Sequence, residues 1–291
     1  MKKLMFAAAA IAAGVAMADV TSANIVGYAG TDLRLRNKQA GAAFVPVSGE
    51  TLDLVDIKVT GYTPFNPDLE EPNGAYGEVN LQTLTEFGVT EANYFWNDFT
   101  EYDWDGDGHD RVWYGWYADG EETAAKRGDF TFTPGEGFLV ICESYDFPFA
   151  LQSSGQVLTA ADQPVDLRLR NKVINNPTPV TVYLQQCRVE GYPKFNPDSE
   201  DPTGAYGEVN AQTLTEFGVT QLSYFWNDFI EYDWDGEGHD RTWYGWYYEG
   251  EDGQEPITPT MCPIEAGEGL LVICETFDFD YTFVWPKVDV K

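Results

Sequence analysis

Residues Tyr94–Tyr117 read YFWNDFTEYDWDGDGHDRVWYGWY, and the run returns as Tyr224–Tyr247, YFWNDFIEYDWDGEGHDRTWYGWY. In each copy two aromatic runs flank an acidic segment punctuated by glycine. Aromatic residues suit a pleated, half-buried surface, while Asp and Gly supply turn chemistry. Each stretch therefore predicts an antiparallel β-hairpin with an acidic tip.

The flanking sequence reads the same way. Thr31–Arg36 and Leu54–Thr60 alternate with period two, which predicts strands, and Gly and Pro break the chain often. Asn80–Gly88 has two readings: a short helix with Asn80 as N-cap and Gly88 as stop, or a strand and a turn. The expected fold class is all-β, as two tandem homologous antiparallel domains, each a sandwich or small barrel.

The tandem arrangement comes from an internal duplication. Gly61–Tyr117 matches Gly191–Tyr247 without a gap, at about 45 of 57 positions. Asp32–Lys38 returns as Asp166–Lys172, and Gly135–Cys142 as Gly267–Cys274. The unit is longer than a solenoid repeat, so each copy is expected to be a domain. The expected division is a signal peptide at residues 1–18, a first β domain at 19–155 and a second at 156–291.

Lys2 and Lys3 precede an apolar, alanine-rich run from Leu4 to Met17, and Ala16-Met17-Ala18 has the A-x-A form of a cleavage site. This predicts export to the periplasm, cell surface or extracellular space. The apolar run is too short to span a bilayer, and no transmembrane segment is expected after cleavage. The chain carries 48 acidic against 17 basic residues, a formal net charge of −31. Such a surface repels nucleic acid and anionic membranes and attracts cations. Its 15% aromatic content argues against disorder.

An oxidising compartment permits disulfides. Cys142, Cys187, Cys262 and Cys274 allow three pairings, among which the sequence does not choose. Cys142 and Cys274 share one repeat position. Cys187 stands where the first copy has Ile57, and Cys262 falls near Phe130. A Cys187–Cys262 bridge within the second copy is one reading; buried free thiols are the other.

The hairpin tip carries the most specific chemistry. Asp103-Trp-Asp-Gly-Asp-Gly108 has the D-x-D-x-D-G form, in which carboxylates at alternate positions converge as the backbone curls. Calcium takes six to eight oxygens, and glycine at the sixth position permits the sharp turn. The candidate metal ligands are Asp103, Asp105, Asp107, the backbone carbonyl of His109, and Asp110. In the second copy they are Asp233, Asp235, Glu237, His239 and Asp240. The alternative is an acidic turn that holds no ion. One histidine per copy, without a nearby cysteine, makes a poor zinc site. The loop resembles EF-hand-like calcium loops, including those of integrin-type β-propeller repeats. It departs from both patterns: Tyr114 stands where an EF-hand has its bidentate glutamate, and Arg111 where the propeller loop has an aspartate. Asp110, Glu101 or Asp98 would have to compensate.

Trp104, Trp113 and Trp116, with their copies Trp234, Trp243 and Trp246, surround the loops. Exposed, they would resemble the sugar-stacking platforms of carbohydrate-binding modules; buried, they would be core. The chain has no G-x-S-x-G elbow, H-E-x-x-H motif or Walker loop. Two similar binding faces gain avidity, which points away from an enzyme.

Ser22-Ala-Asn-Ile-Val-Gly-Tyr28, Leu81–Leu84, Tyr94–Trp96 and Pro134–Phe138 together resemble a group of uncharacterised exported tandem-repeat β proteins of environmental Gram-negative bacteria. The S-x-N-x-V-G-Y start is missing from the second copy. The resemblance implies an exported β-rich protein and carries no catalytic residues. The expected function is a secreted calcium-binding structural or adhesive protein of the cell envelope or extracellular matrix. The alternatives are a secreted carbohydrate-binding protein using the aromatic hairpins and a glycan-acting hydrolase. Expected partners are a glycan or further copies of the chain, and no nucleic acid.

Overall fold

The computed structural model describes residues 26–33, 39–41, 52–85, 89–103, 105–143, 147–156, 163–167, 171–178, 180–200, 202–214, 220–233, 235–250, 253–276 and 278–287. Residues 1–18, with the expected signal peptide, lie outside them, as do Trp104 and Trp234.

The chain is all-β and antiparallel. The first copy contributes β1 (Val26–Asp32), β2 (Gln39–Gly41), β3 (Leu52–Asp53), β4 (Lys58–Thr60), β5 (Ala75–Leu84), β6 (Thr90–Glu101), β7 (Arg111–Ala118), β8 (Thr131–Phe132), β9 (Gly137–Cys142) and β10 (Ala150–Gln156). They form a five-stranded sheet in the order β2-β9-β5-β6-β7, a three-stranded sheet β1-β10-β4 and a ribbon β3-β8. The second copy repeats this plan with β11 (Gln163–Asp166), β12 (Asn171–Asn175), β13 (Val182–Tyr183), β14 (Arg188–Glu190), β15 (Ala205–Leu214), β16 (Thr220–Glu231), β17 (Arg241–Gly250), β18 (Gly253–Pro256), β19 (Pro263–Ile264), β20 (Gly269–Cys274) and β21 (Thr282–Trp285). Its larger sheet gains one strand, β12-β20-β15-β16-β17-β18, beside the sheet β11-β21-β14 and the ribbon β13-β19.

Each copy closes on its own core. Val79, Leu81, Trp96, Trp116, Phe138 and Val140 of the larger sheet pack with Val59 and Leu151 of the smaller one. The second core has the corresponding members Trp226, Trp246, Leu270, Val272 and Phe283. Trp96 and Trp116 meet edge to face at 5.4 Å, an arrangement aromatic pairs favour beyond simple burial. Their indole N–H groups would be orphaned in such a core. Trp96 Nε1 donates to the Tyr62 hydroxyl at 3.1 Å and Trp116 Nε1 to the Ile57 carbonyl at 2.9 Å. The second copy reproduces both bonds, Trp226 to Tyr192 and Trp246 to the Cys187 carbonyl.

One open reading is decided and one expectation is corrected. Of the two readings of Asn80–Gly88, the strand holds over Asn80–Leu84, because β5 is a central strand whose ladder is taken by β6 on one side and β9 on the other; residues 86–88 lie outside the described residues. Leu54–Thr60 is not one strand. Residues Leu54–Asp56 form a 3₁₀ turn before β4, because Asp53 accepts a hydrogen bond from the Val55 amide and another from the Gly128 amide.

The two copies touch. β12 lies against β2 and β9, and β2 reciprocally against β20. Gly135 sits at the seam: its carbonyl accepts from the Asn175 amide at 2.9 Å, and Glu136 pairs with Lys172 at 2.9 Å. Burial pushes the Glu136 carboxyl up, but hydrogen bonds from Thr133 and the Lys172 ammonium outweigh it and hold it below the ordinary range. Gly135 has φ +88, and a Cβ there would lie 2.8 Å from Val165 Cγ2 and 3.2 Å from Trp285 Nε1. Gly135→Ala should therefore loosen the seam, at a cost of about 1–3 kcal/mol. Amide exchange should rise first in β2, β9 and β12, and unchanged protection there would refute the close fit.

Candidate functional site

The acidic tip joins β6 to β7, as the hairpin reading expects. Asp103 adopts φ +45, a left-handed conformation that Asp tolerates because its short side chain bonds locally. Its carbonyl accepts from the Gly106 amide at 3.1 Å, and its Oδ1 accepts from the Gly108 amide at 2.6 Å. Asp105 Oδ1 accepts from the Asp107 amide and Asp107 Oδ1 from the His109 amide. Backbone N–H groups thus orient each carboxylate while leaving it further acceptor capacity.

The result is convergence. Asp103, Asp105 and Asp107 each bring one carboxylate oxygen within 4.8 Å of the others, on an exposed tip. This group could hold a metal ion. Asp110 and the His109 side chain are exposed and lie outside it; the ligand expected from His109 is its backbone carbonyl. The second tip repeats the backbone: Asp233 has φ +45, and Gly236 and Gly238 donate to it as Gly106 and Gly108 do. Asp235 accepts from the Glu237 amide, and Asp240 accepts from the Asp233 amide at 3.3 Å. Among the described residues, however, Asp233, Asp235, Glu237, His239 and Asp240 form no comparable cluster. The extra methylene of Glu237 is the one change of side chain within D-x-D-x-D-G.

The tryptophans divide by strand alternation. Trp116 and Trp246 are core, 2% exposed, and Trp243 is 6% exposed, so none presents a ring face to solvent. Trp113 is half-buried. Phe99 stacks beside it at 5.6 Å and 8°, and the Arg111 guanidinium covers it at 4.2 Å. The second copy places Phe229 and Arg241 around Trp243 in the same way. The sequence reading missed this arginine cover, although Arg111 and Trp113 stand two apart and so share a sheet face. It also missed that, among the described residues, the most exposed aromatics are tyrosines, above all Tyr76 and Tyr114 with their copies Tyr206 and Tyr244.

Beside Trp113 a cavity of about 780 Å³ is lined by Tyr76, Phe99, Tyr117, Asp119 and Glu121. Its counterpart in the second copy is smaller, about 610 Å³, and includes Gln254 of the added strand β18. The Gln254 side chain there accepts from Asn227 Nδ2 at 3.1 Å.

Comparison of the chain with protein-family models, with curated proteins and with solved structures gives no match. No helix among the described residues is long and apolar enough to cross a membrane.

Proposed function

We propose that this is an exported calcium-binding protein with a structural or adhesive role at the cell envelope or in the extracellular matrix. The observation that supports it is the convergence of Asp103, Asp105 and Asp107 within 4.8 Å. Three carboxylates so close repel one another, and a divalent cation relieves that repulsion. The hairpin beneath is regular: β6 and β7 pair in continuous register from Tyr94–Ala118 to Glu101–Arg111. An ion at the tip would hold the loop and offset part of the chain's large negative charge.

The sheet edge next to the site argues against assembly by strand addition there. The Tyr114 amide is taken by the Tyr117 hydroxyl at 3.0 Å, and the Trp116 carbonyl by the Ala125 amide at 2.7 Å. In the second copy β18 pairs along β17. Such blocked edges resist edge-to-edge pairing. An adhesive contact would therefore run through the ion-bearing tips or side-chain faces. The carbohydrate reading draws on the cavity beside Trp113 and on exposed Tyr76, but covered tryptophan faces weaken it.

The test is thermal unfolding in EDTA, then across millimolar calcium, with magnesium as control. Extracellular calcium modules bind at roughly 10⁻⁴–10⁻³ M. At 10 to 100 times the dissociation constant the expected stabilisation is about 1.4–2.7 kcal/mol. Replacing Asp103 and Asp105 by Ala should abolish most of the gain, and replacing Asp233 and Asp235 less of it. Equal melting temperatures in EDTA, magnesium and calcium would overturn the calcium reading.

A further inference from the structure

The two copies differ inside their cores by a paired exchange. Ile57 and Cys187 are structural equivalents, because the carbonyl of each accepts the indole N–H of Trp116 or Trp246. Phe130 and Cys262 are also equivalents, because the carbonyl of each accepts the amide of Leu54 or Leu184, at 2.9 and 3.2 Å. The second copy has therefore replaced an isoleucine and a phenylalanine, two apolar core-facing residues, by two cysteines.

The replacements lie together. The Leu184 amide donates to the Cys262 carbonyl, and the Leu184 carbonyl accepts from the Cys187 amide at 3.0 Å, so one residue ties both cysteine backbones. Both side chains belong to the same buried core cluster, and each thiol is free. In the first copy the Phe130 ring packs on Tyr94 at 5.4 Å and on Phe132 at 4.7 Å. A thiol at that position fills far less space, so apolar packing alone does not account for the exchange. Cys142 and Cys274 provide an internal contrast. They occupy one repeat position at the ends of β9 and β20, and the Cys274 thiol donates to the Thr276 carbonyl at 3.1 Å.

We propose that Cys187 and Cys262 form an intramolecular disulfide that pins the 3₁₀ turn at Leu184–Gln186 to the ribbon strand β19, while Cys142 and Cys274 stay reduced. The bond closes a loop of about 75 residues. Two thiols lose two protons and two electrons as the S–S bond forms. The electrons pass to a disulfide oxidant, whose own S–S bond breaks to give two thiols. One cysteine, as thiolate, first attacks that oxidant, and the other then attacks the mixed disulfide. Burial raises Cys187 well above the ordinary thiol range and Cys262 to about 11. Thiolate is therefore scarce in the closed core, and the exchange belongs to folding, before the second copy packs.

Oxidation in the cell rests on the export reading, whereas the pairing itself does not, and the experiment separates the two. The full chain is unfolded, reduced, and refolded with oxidised and reduced glutathione. It is then alkylated in denaturant and mapped by mass spectrometry without reduction. The expected result is two alkylated residues, Cys142 and Cys274, and one cross-linked peptide pair joining Cys187 to Cys262. The oxidised chain should melt roughly 5–15 °C above the reduced one. The double variant C187I/C262F, which restores the first copy's residues, should fold and show no such redox-dependent shift. Four alkylated cysteines, or a bridge between any other pair, would overturn the proposal. The same mapping on chain recovered from the exported fraction of expressing cells tests the compartment. Absence of the chain from that fraction would refute export and leave the pairing standing, whereas four thiols in the exported chain would overturn oxidation in the cell.

Discussion

Trp116→Ala is expected to unfold the first copy while leaving most of the second folded. The ring is 2% exposed, packs edge to face on Trp96, and holds the Ile57 carbonyl. Large aromatic truncations in cores cost about 3–5 kcal/mol. The orphaned Ile57 carbonyl adds about 1–3 kcal/mol. The total rivals the stability of an ordinary domain, which is roughly 5–15 kcal/mol. Trp116→Phe separates the two contributions: it keeps much of the apolar packing and loses the hydrogen bond, so it should cost about half as much. Hydrogen exchange is the measurement. Protection should collapse in β5, β6, β7 and β9 and persist in β15, β16 and β20. Protection retained in β6 and β7 would show that the ring is not the keystone of that core.

The second large effect is expected at Gly61, on backbone grounds alone. This residue follows β4 with φ +89, and a Cβ there would sit 1.9 Å from the Pro148 carbonyl oxygen. Gly191 repeats the arrangement against the Asp280 carbonyl, also at 1.9 Å. The obstacle is backbone, not the far end of a flexible side chain, so it cannot move aside without parting β4 from β10. Gly61→Ala should cost about 3 kcal/mol or more. Gly106→Ala, in the acidic tip, is the control. Its φ is +74, but nothing lies within 4 Å of the added Cβ. That substitution should cost only the left-handed penalty, about 1–2 kcal/mol. Denaturant midpoints for the two variants would test this difference. Equal losses would mean that conformation, not the close approach to Pro148, governs Gly61.

The local features of the hairpins are legible in the chain's own residues. Period-two aromatic runs, turn residues and an acidic D-x-D-x-D-G segment act over a few residues, so the sequence alone determined the antiparallel hairpins and the curled tip. Internal identity likewise determined that one structural plan occurs twice. Other outcomes depend on residues far apart in the chain, and only the tertiary structure decided them. Asn80–Leu84 has a helix-like pattern but became strand because partners on both sides claimed its backbone groups. Trp113 and Trp116 read alike, yet their depths of burial differ, because only docking of the smaller sheet decides which face of β7 is core. Glu237 is plainly a longer side chain in the second tip, but the divergence of its cluster from that of Asp103 follows from where the carboxylates lie in space. The contact of Gly135 with Trp285, and the meeting of Cys187 with Cys262 in one core, join segments that no local rule brings together. Periodicity and turn chemistry are short-range and written in neighbouring residues, whereas burial, seams and cross-core pairs are consequences of packing.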